Sequence, residues 1–282
     1  MATTVSVVII TNNSAPFIVR CLQHLEKQSR SVHEVIIVDN KSQALDREAL
    51  RAAVGSAKLP SHLVELEYNV GYPGGCNVAT DHLSRTCDYV LYVGPDTYLT
   101  EGYVASGIAF MEDPMNRGVG AVSGKLLGFD NEAGRPTGLI DSTGILQTWY
   151  GRWYDRGKGR RDSENDSHWS SVVPALCGTA LFCRRTALAK LEAAEPFTIY
   201  DNSLFMYKED IDLSIRLVEA GFEVRYHSAM LAYHCRGWDR RVMSRRAKIL
   251  SARNEVVINA QVSLPKYFFS CLKLYAVSKG LY

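Results

Sequence analysis

The sequence has no hydrophobic run long enough to cross a bilayer. Its longest apolar segments, such as Val5–Ile10 and Val35–Val38, fall far short of the roughly 20 residues that a transmembrane helix needs. No basic segment precedes Val5–Ile10, so we interpret this run as a buried strand and not as part of a signal peptide. We therefore expect a chain with neither a membrane span nor a secretory leader.

A cysteine pattern is also missing. The seven cysteines are scattered, and none forms a C-x-x-C pair. An odd number of cysteines without a secretory signal is typical of free thiols in a reducing compartment. We expect neither a disulfide framework nor a zinc site, and we predict a cytoplasmic location.

Acidic side chains are scarce near the end of the sequence. Residues 236–282 contain six Arg and four Lys but only Asp239 and Glu255, a net charge of +8, whereas the whole chain carries +2. Such a basic tail predicts a polyanionic partner: a membrane surface, an anionic lipid head group or nucleic acid. No nucleic-acid-binding motif accompanies the tail, so we expect no nucleic acid partner. The alternative is a helical pair packed on the rest of the chain with solvated Arg and Lys.

The first part of the chain alternates short apolar runs with helical patterns. The predicted strands are Val5–Ile10, Val35–Val38, Leu63–Glu67 and Tyr89–Val93, and the predicted helices are Ala15–Gln28, Leu45–Val54 and Asn77–Leu83. Strands that are apolar throughout and separated by helices indicate a mostly parallel sheet covered on both faces. We predict an α/β fold with a Rossmann-like nucleotide-binding layout.

This alternation ends near Gly118. Residues 128–171 are rich in Gly, Asp, Arg and Ser and carry the aromatic cluster Trp149, Tyr150, Trp153 and Tyr154. We predict a long irregular segment here, and such segments are usually either functional or disordered. Regular patterns return with a strand at Ala175–Arg184, a helix at Glu209–Glu219, strands at Phe222–Tyr226 and Ala229–Tyr233, and a helical tail from Arg240 onward.

Polar residues follow four of the predicted strands or lie close behind them. These segments are Thr11–Ser14, Asp39–Ser42, Asn69–Asn77 and Gly94–Thr97. Ligands of open α/β sheets bind at the carboxyl ends of the parallel strands. The same residue types are typical of turns and helix caps, so each segment alone leaves both interpretations open. Four of them at one sheet edge favour a binding site.

Two of these segments suggest nucleotide chemistry. Asp39 can accept hydrogen bonds from a ribose hydroxyl or a base N–H. The Gly-rich segment before Asn77 lets the backbone approach a diphosphate, and a helix that begins at Asn77 offers N–H groups to it. The segment lacks the G-x-G-x-x-G spacing of dehydrogenases. Asp96 can coordinate a hard divalent cation that also binds phosphates, or it can belong to a type I turn.

The densest acidic cluster opens the helix at Glu209. Three carboxylates within four positions are more than helix capping requires. Asp212 has Arg216 four residues later as an ion-pair partner, which predicts a structural role. Glu209 and Asp210 remain as candidates for a general base that deprotonates a hydroxyl. His234 ends an apolar run, and by its spacing alone it is a hydrogen-bonded structural residue.

Six segments, in this order, carry a resemblance to a known family. The sequence resembles the inverting family 2 glycosyltransferases of the GT-A fold, particularly the branch of rhamnosyltransferases and O-antigen or capsule sugar transferases. The matching segments are VSVVIITNN, EVIIVDNKS, NVGYPGGCN, YVLYVGPDT, CGTALFCRR and YKEDIDLSIRLVEAGFEVRYHSAMLAYH.

The resemblance implies a role for each matching site residue. Base and ribose contacts would come from Thr11, Asn13, Asp39 and Asn40, with Gly71, Gly75 and Asn77 near the diphosphate. Asp96 would bind the donor diphosphate through Mg²⁺ or Mn²⁺, His234 would complete the metal site, and Asp210 would be the catalytic base. Gly94 stands where the family usually has Asn or Asp.

The resemblance also implies an activity and a domain layout. The favoured reaction is transfer of rhamnose from dTDP-rhamnose to a glycan or a polyprenyl-diphosphate-linked glycan; galactofuranosyl, glucosyl and N-acetylhexosaminyl transferases using UDP-sugars share the motifs. Residues 1–235 would form the catalytic domain (about 1–117 for the donor, 118–235 for the acceptor), and 236–282 a basic helical appendage on a membrane surface. A nucleotidyltransferase would need a Gly-rich loop and a basic residue after the first strand. The non-enzyme alternative is a decayed sugar-binding or scaffold protein; only Gly94 favours it, and the presence of Asp96, Asp210 and His234 argues against it.

Overall fold

The computed structural model describes residues 3–163, 169–193, 198–235 and 243–281. A central sheet begins with four parallel strands joined by helices. In chain order these elements are β1 (Val5–Thr11), α1 (Ala15–Glu26), β2 (Glu34–Asp39), α2 (Ala44–Ser56), β3 (Ser61–Glu65), α3 (Gly71–Asp81) and β4 (Tyr89–Val93). The strands lie in the order β3-β2-β1-β4, so the carboxyl ends of β1, β2 and β4 form one edge.

The second half extends the same sheet. Its elements are β5 (Thr97–Leu99), α4 (Tyr103–Glu112), β6 (Val119–Asp130), β7 (Arg135–Ser142), β8 (Ile145–Gln147), β9 (Trp153–Asp155), β10 (Ser170–Val172), β11 (Ala180–Arg184), α5 (Arg185–Glu192), α6 (Glu209–Glu219), β12 (Glu223–His234), α7 (Arg245–Val262) and α8 (Leu264–Ser278). Strand β11 runs antiparallel between β4 and β6, and β12 runs parallel to β6. The predicted mostly parallel α/β sheet flanked by helices is confirmed.

Strand β1 lies at the centre of two hydrophobic layers, one on each face of the sheet. Val7 and Ile9 contribute to the layer that contains Ile18 and Leu22 of α1, and Val8 belongs to the layer on the α3 side. Successive strand residues point to opposite faces, so a strand covered on both faces must be apolar at every position. This explains the continuous apolar run in the sequence.

Several predicted boundaries were wrong. Helix α3 begins at Gly71 and not at Asn77, so its first turns contain the Gly-rich segment. The strand predicted at Ala175–Arg184 begins only at Ala180, because residues 177–179 turn towards other polar groups. The two strands predicted at 222–226 and 229–233 form the single strand β12, which has an irregular register between Tyr226 and Leu231.

The segment predicted as irregular, residues 128–171, contains several strands in its described part. It contains the end of β6, then β7, β8, β9 and the start of β10. Most of these strands are short, and glycines with positive φ lie within or between them (Gly138, Gly144 and Gly151), which hides their period-two pattern in the sequence. The helical tail is confirmed as α7 and α8, and its predicted start at Arg240 lies outside the described residues. Across the described part of the chain, no helix is both long and apolar enough to span a bilayer.

Candidate active site

Loops at the carboxyl ends of β1 and β2 form a cross-linked polar edge. The Asn12 side chain donates to the carbonyls of Asn40 and Lys41, and the Asn13 N–H donates to Ser42 Oγ. Asn13 and Lys41 adopt left-handed conformations, with φ of 54° and 66°. Non-glycine residues of this kind concentrate at binding sites, where surrounding contacts compensate the strain. The edge predicted to bind the donor is therefore a preformed structure.

Asp39 and Asn40 point into the protein. Asp39 is fully buried, and its carboxylate accepts from Arg47 Nε at 2.7 Å and from the Ser42 N–H at 3.1 Å. Asn40 donates to the Gly71 carbonyl and accepts from the Val70 N–H, so it joins the β2 loop to the start of α3. In this structure both side chains hold the loops in place. Their direct contact with a ribose or base, like that of buried Thr11, remains a prediction.

The start of α3 has no N–H group to spare for a phosphate. The N–H groups of Val70, Gly71 and Tyr72 donate to Asn40 Oδ1, Asn69 Oδ1 and the Phe205 carbonyl, each at 2.8 Å. Pro73 has no N–H. These are the four positions whose N–H groups lack a partner within the helix. We expected a helix that begins at Asn77 and offers N–H groups to a diphosphate. The helix instead begins at Gly71, and the N–H groups of its start are bonded within the protein.

Close packing explains the glycines of α3 instead. A Cβ at Gly71 would lie 2.2 Å from the Phe205 carbonyl oxygen, and a Cβ at Gly75 would lie 2.7 Å from Ile10 Cγ2. The Asn77 side chain donates to the Tyr200 carbonyl and to Asn202 Oδ1, which ties α3 to the segment before α6. We predicted that Gly71, Gly75 and Asn77 lie near the diphosphate. This remains a prediction, and the occupied N–H groups at the start of α3 do not support it.

Strand pairing brings His234 to Asp96. The last residue of β12, His234, lies opposite Thr97 of β5, and the Cys235 N–H donates to the Asp96 carbonyl. His234 Nε2 consequently lies 3.4 Å from Asp96 Oδ2. The sequence prediction placed these two residues in one metal site, and the structure brings them together.

Asp141 lies on the other side of the His234 ring. Its Oδ2 is 2.8 Å from His234 Nδ1, and both side chains are buried. Burial by itself lowers the pKa of His234, but Asp96 and Asp141 outweigh burial and raise this pKa to about 9. A carboxylate on the far nitrogen is the usual partner of a metal-bound imidazole, because it fixes the ring and increases its basicity. Asp141 is a site residue that the sequence prediction missed.

The Asp96 and His234 pair fits a divalent cation that shares its shell with the donor. A separation of 3.4 Å allows the oxygen and the nitrogen to ligate one ion whose bonds are about 2 Å long. In residues 3–163, 169–193, 198–235 and 243–281, no group of three or more His, Cys, Asp or Glu side chains forms a metal cage. Mg²⁺ typically takes one or two protein ligands and completes its shell with phosphate oxygens and water.

Asp210 is held in the first turn of α6 by the segment before β11. The Gly178 N–H donates to Asp210 Oδ2 at 2.9 Å, and the Ile211 N–H donates to Oδ1. A Cβ at position 178 would lie 2.9 Å from Asp210 Cβ, so only glycine permits this approach. Burial raises the pKa of Asp210 above the usual aspartate range. A half-buried carboxylate with a raised pKa suits a general base.

Glu209 differs from its neighbour. Its buried Oε2 has no hydrogen-bond partner among the residues that the structure describes, and burial together with the adjacent Asp210 raises the pKa of Glu209 to about 8. Adjacent carboxylates titrate as a pair, and Asp210 is the member whose two oxygens both accept N–H bonds, which favours its charged form. Asp212 forms the predicted ion pair with Arg216 at 2.8 Å, which supports a structural role for this residue.

The segment 177–179 connects the two halves of the site. The Gly94 N–H donates to the Thr179 carbonyl at 2.8 Å, next to Gly178, which holds Asp210. A Cβ at Gly94 would lie 2.9 Å from Thr97 Oγ1 and 3.0 Å from Asp96 Oδ1. The unusual glycine in the Asp96 turn therefore gives this turn room for a tight fold. It does not by itself indicate a decayed site.

The predicted aromatic cluster is divided between two environments. Trp153 is buried, and its Nε1 donates to Asn259 Oδ1 of α7. Trp149 is 78% exposed and packs edge-on against Phe269 of α8. Asp155, at the end of the same hairpin, is close enough to Asp210 to raise the pKa of this residue. The hairpin therefore extends from α8 to the side of Asp210, which suits the predicted acceptor side.

A family model for glycosyl transferase family 2 matches residues 6–191, about two thirds of the chain. This span contains the β1 and β2 loops, the Asp96 turn and the Gly178 segment. Asp210 and His234 lie beyond it.

Individual relatives agree with this match. A curated protein of Bradyrhizobium diazoefficiens named N-acetylglucosaminyltransferase is 26% identical over 216 residues, which is 76% of this chain but 41% of that relative. Mannosyltransferase PcManGT from Pyrobaculum calidifontis, solved with GDP-Man and Mn²⁺, is 18% identical with a TM-score of 0.62 over 100% of this chain and 72% of its own. S. aureus TarS 1-349, solved with UDP-GlcNAc, is 18% identical with a TM-score of 0.52 over 98% and 81%. At these identities the solved structures establish the GT-A-like fold alone. The chain belongs to glycosyl transferase family 2.

Proposed function

We propose that this chain transfers a sugar from a nucleoside diphosphate to an acceptor hydroxyl with inversion at the anomeric carbon. The observation that carries the proposal is the link through residues 177–179. This segment bonds to the Asp96 turn on one side and holds the Asp210 carboxylate on the other. This arrangement supports a phosphate-directed role for Asp96 and a base role for Asp210, one on each side of a short segment.

The proposed reaction is a single displacement. The acceptor oxygen attacks the anomeric carbon, the new C–O bond forms as the bond to the diphosphate breaks, and Asp210 takes the acceptor proton. Asp96 and His234 would hold a divalent cation, Mg²⁺ or Mn²⁺, which supplies positive charge to the leaving diphosphate. The Gly178 and Ile211 N–H groups hold the two carboxylate oxygens of Asp210 in place, and each oxygen keeps a second lone pair that can receive the proton.

We rank a UDP-linked N-acetylhexosamine first among donors. The named curated relative supports this choice, and the sequence preference for dTDP-rhamnose becomes the second candidate. GDP-mannose is the third. The acceptor we propose is a glycan or a polyprenyl-diphosphate-linked glycan, as the sequence resemblance implies.

A thermal-shift screen against UDP, dTDP and GDP, each with Mn²⁺, tests the donor proposal. We expect UDP to raise the melting temperature most, since a ligand at a hundredfold excess over its Kd stabilises the native state by about 2.7 kcal/mol. Uridine serves as the control without phosphates. A stronger shift with dTDP would replace the first candidate by the second, and no shift with any diphosphate would contradict the proposed function. The preferred UDP-sugar is then assayed for transfer.

The membrane partner proposed from the basic tail is supported by the outer face of α8. Leu264, Phe268, Leu272 and Tyr275 recur at helical spacing, and each is more than half exposed. The polar Lys266 and Lys273 of the same helix instead face the protein, where they contact Gln147 and Glu255. An exposed apolar stripe within a strongly basic segment is typical of helices that lie in an anionic membrane interface.

Vesicle flotation tests this partner. We expect the protein to float with phosphatidylglycerol vesicles at low salt, because the basic tail is attracted to anionic lipid. With phosphatidylcholine vesicles the protein should stay in the bottom fraction of the gradient. A Phe268→Ser/Leu272→Ser variant should stay unbound. The matched control, Met115→Ser/Val218→Ser, removes two exposed apolar side chains elsewhere and should float normally. Wild-type protein that fails to bind anionic vesicles at low salt would remove the membrane proposal.

A further inference from the structure

The segment directly before the catalytic helix has an unusual backbone. Phe205, Tyr207 and Lys208 all have positive φ angles, of 57°, 71° and 68°. Side chains with a Cβ disfavour this region sterically, so three such residues in four positions persist only where other contacts determine the conformation. Asp210 follows two residues after Lys208. The shape of this segment therefore sets where α6 begins and where its first carboxylates point.

Asn254 of α7 supplies contacts on one side of the segment. It is fully buried, and its Nδ2 amide donates to the carbonyls of Leu204, Met206 and Tyr207 at 2.7, 2.9 and 2.9 Å. The intervening Phe205 carbonyl points the other way and accepts from the Tyr72 N–H at 2.8 Å. The segment is thus held between α7 and the start of α3, with its carbonyls divided between the two.

Glu255, the next residue of α7, holds the end of the segment. Lys208 Nζ lies 3.0 Å from Glu255 Oε2, and Lys273 Nζ of α8 lies 2.6 Å from Oε1. Glu255 is almost fully buried, and burial would raise its pKa, but the two lysines outweigh burial and lower the pKa. Its carboxylate is therefore ionised and fixes the Lys208 side chain on the α7 side. Removing one partner of such a buried pair leaves an uncompensated charge.

We infer that Asn254 and Glu255 are positioning residues that hold the segment 204–208 and thereby place Asp210 for proton transfer. The inference rests on the proposed role of Asp210. It makes α7, which lies within the predicted basic appendage, a necessary part of the catalytic site. It also gives Lys208 a role that the sequence did not reveal, since this lysine connects α6 to Glu255.

Single-residue variants of the full chain test the inference. We expect Asn254→Ala and Glu255→Gln to lower kcat by about 10- to 100-fold, because a displacement of about 1 Å at a reacting group has this effect. The donor KM and the Kd for the nucleoside diphosphate should change little, since neither residue touches the Asp96 turn. The matched control is Asn116→Ala, which removes another buried amide that donates to a backbone carbonyl, that of Phe110 at 2.9 Å. This control should keep the wild-type kcat.

A double-mutant comparison distinguishes positioning from general destabilisation. If Glu255 acts through Lys208, the double variant Lys208→Gln/Glu255→Gln should lose no more activity than the more affected single variant. If Asn254→Ala fails to fold, the Lys208 and Glu255 variants still test the inference, because Glu255→Gln preserves side-chain volume. Equal kcat in Asn116→Ala, Glu255→Gln and wild type would overturn the inference. Wild-type protein that transfers no sugar would instead contradict the proposed function.

Discussion

Replacement of Asp210 by asparagine is expected to lower kcat by about 10²- to 10⁴-fold, the usual contribution of a general base. The amide oxygen can still accept from the Gly178 N–H, so the geometry of the segment should persist. Binding of the nucleoside diphosphate should therefore stay close to that of wild type. A rapid-quench or radiolabel transfer assay measures the first effect, and calorimetry with UDP and Mn²⁺ measures the second.

The pH dependence of the wild-type enzyme adds a second test of Asp210. The base must be ionised, so kcat/KM should fall as pH decreases through its pKa. Since burial raises this pKa, the acid limb should lie above the usual aspartate range. Asp212→Asn is the matched control: it breaks the ion pair with Arg216 in the same helix turn, which should cost stability but spare the reaction. Full activity in the Asp210 variant would disprove the base assignment.

Loss of the Asp96 carboxylate is expected to have the other large effect. Asp96→Ala should lower kcat/KM by about a thousandfold, since a bound cation contributes several kcal/mol of charge stabilisation. Chelation of divalent ions should produce a similar loss in wild type, and added Mg²⁺ or Mn²⁺ should reverse it. Full activity after chelation would contradict a metal-dependent site.

Asp141→Asn separates the cation site from the base. Because Asp141 contacts His234 and not the donor, we expect the variant to bind Mn²⁺ about 10- to 100-fold more weakly and to recover activity at high metal concentration. Asp96→Ala should not recover. Asp113→Asn, which alters an exposed carboxylate at a short 3₁₀ helix, is the surface control. Equal metal titration curves for Asp141→Asn and this control would remove the orienting role of Asp141.

Local sequence signals were sufficient to predict the strands of the sheet whose edge forms the site. Strands such as Tyr89–Val93 are buried at every position, and their continuous apolar runs are visible without any partner. The helix Glu209–Glu219 was also predicted at its exact bounds, because acidic residues open it and Gly221 follows it. The pairing of Asp96 with His234 came from the order of family segments and was not visible from spacing, because 138 positions separate the two.

Residues whose partners depend on how distant strands and helices pack together could not be predicted from the sequence. Asp141 meets His234 because β7 and β12 both pair with β6, a strand whose Gly, Ser and Lys interrupt its pattern. Asn254 looks like an ordinary polar residue of a basic helix, and only the path of residues 204–208 beneath α7 gives it three carbonyl partners. The ion pair of Asp39 with Arg47 of α2 was likewise not visible in the sequence, which predicted only a ribose or base contact for Asp39.

The saturated start of α3 has a thermodynamic consequence. With their N–H groups bonded to Asn40, Asn69 and Phe205, the first residues of this helix donate no hydrogen bond to a diphosphate. If the cation at Asp96 and His234 offsets the negative charge of the diphosphate, donor and cation must bind as a linked pair. Each then raises the affinity for the other by the same factor. Cellular supply of the divalent ion would then set the effective affinity for the sugar donor, so the enzyme would sense both concentrations as a product.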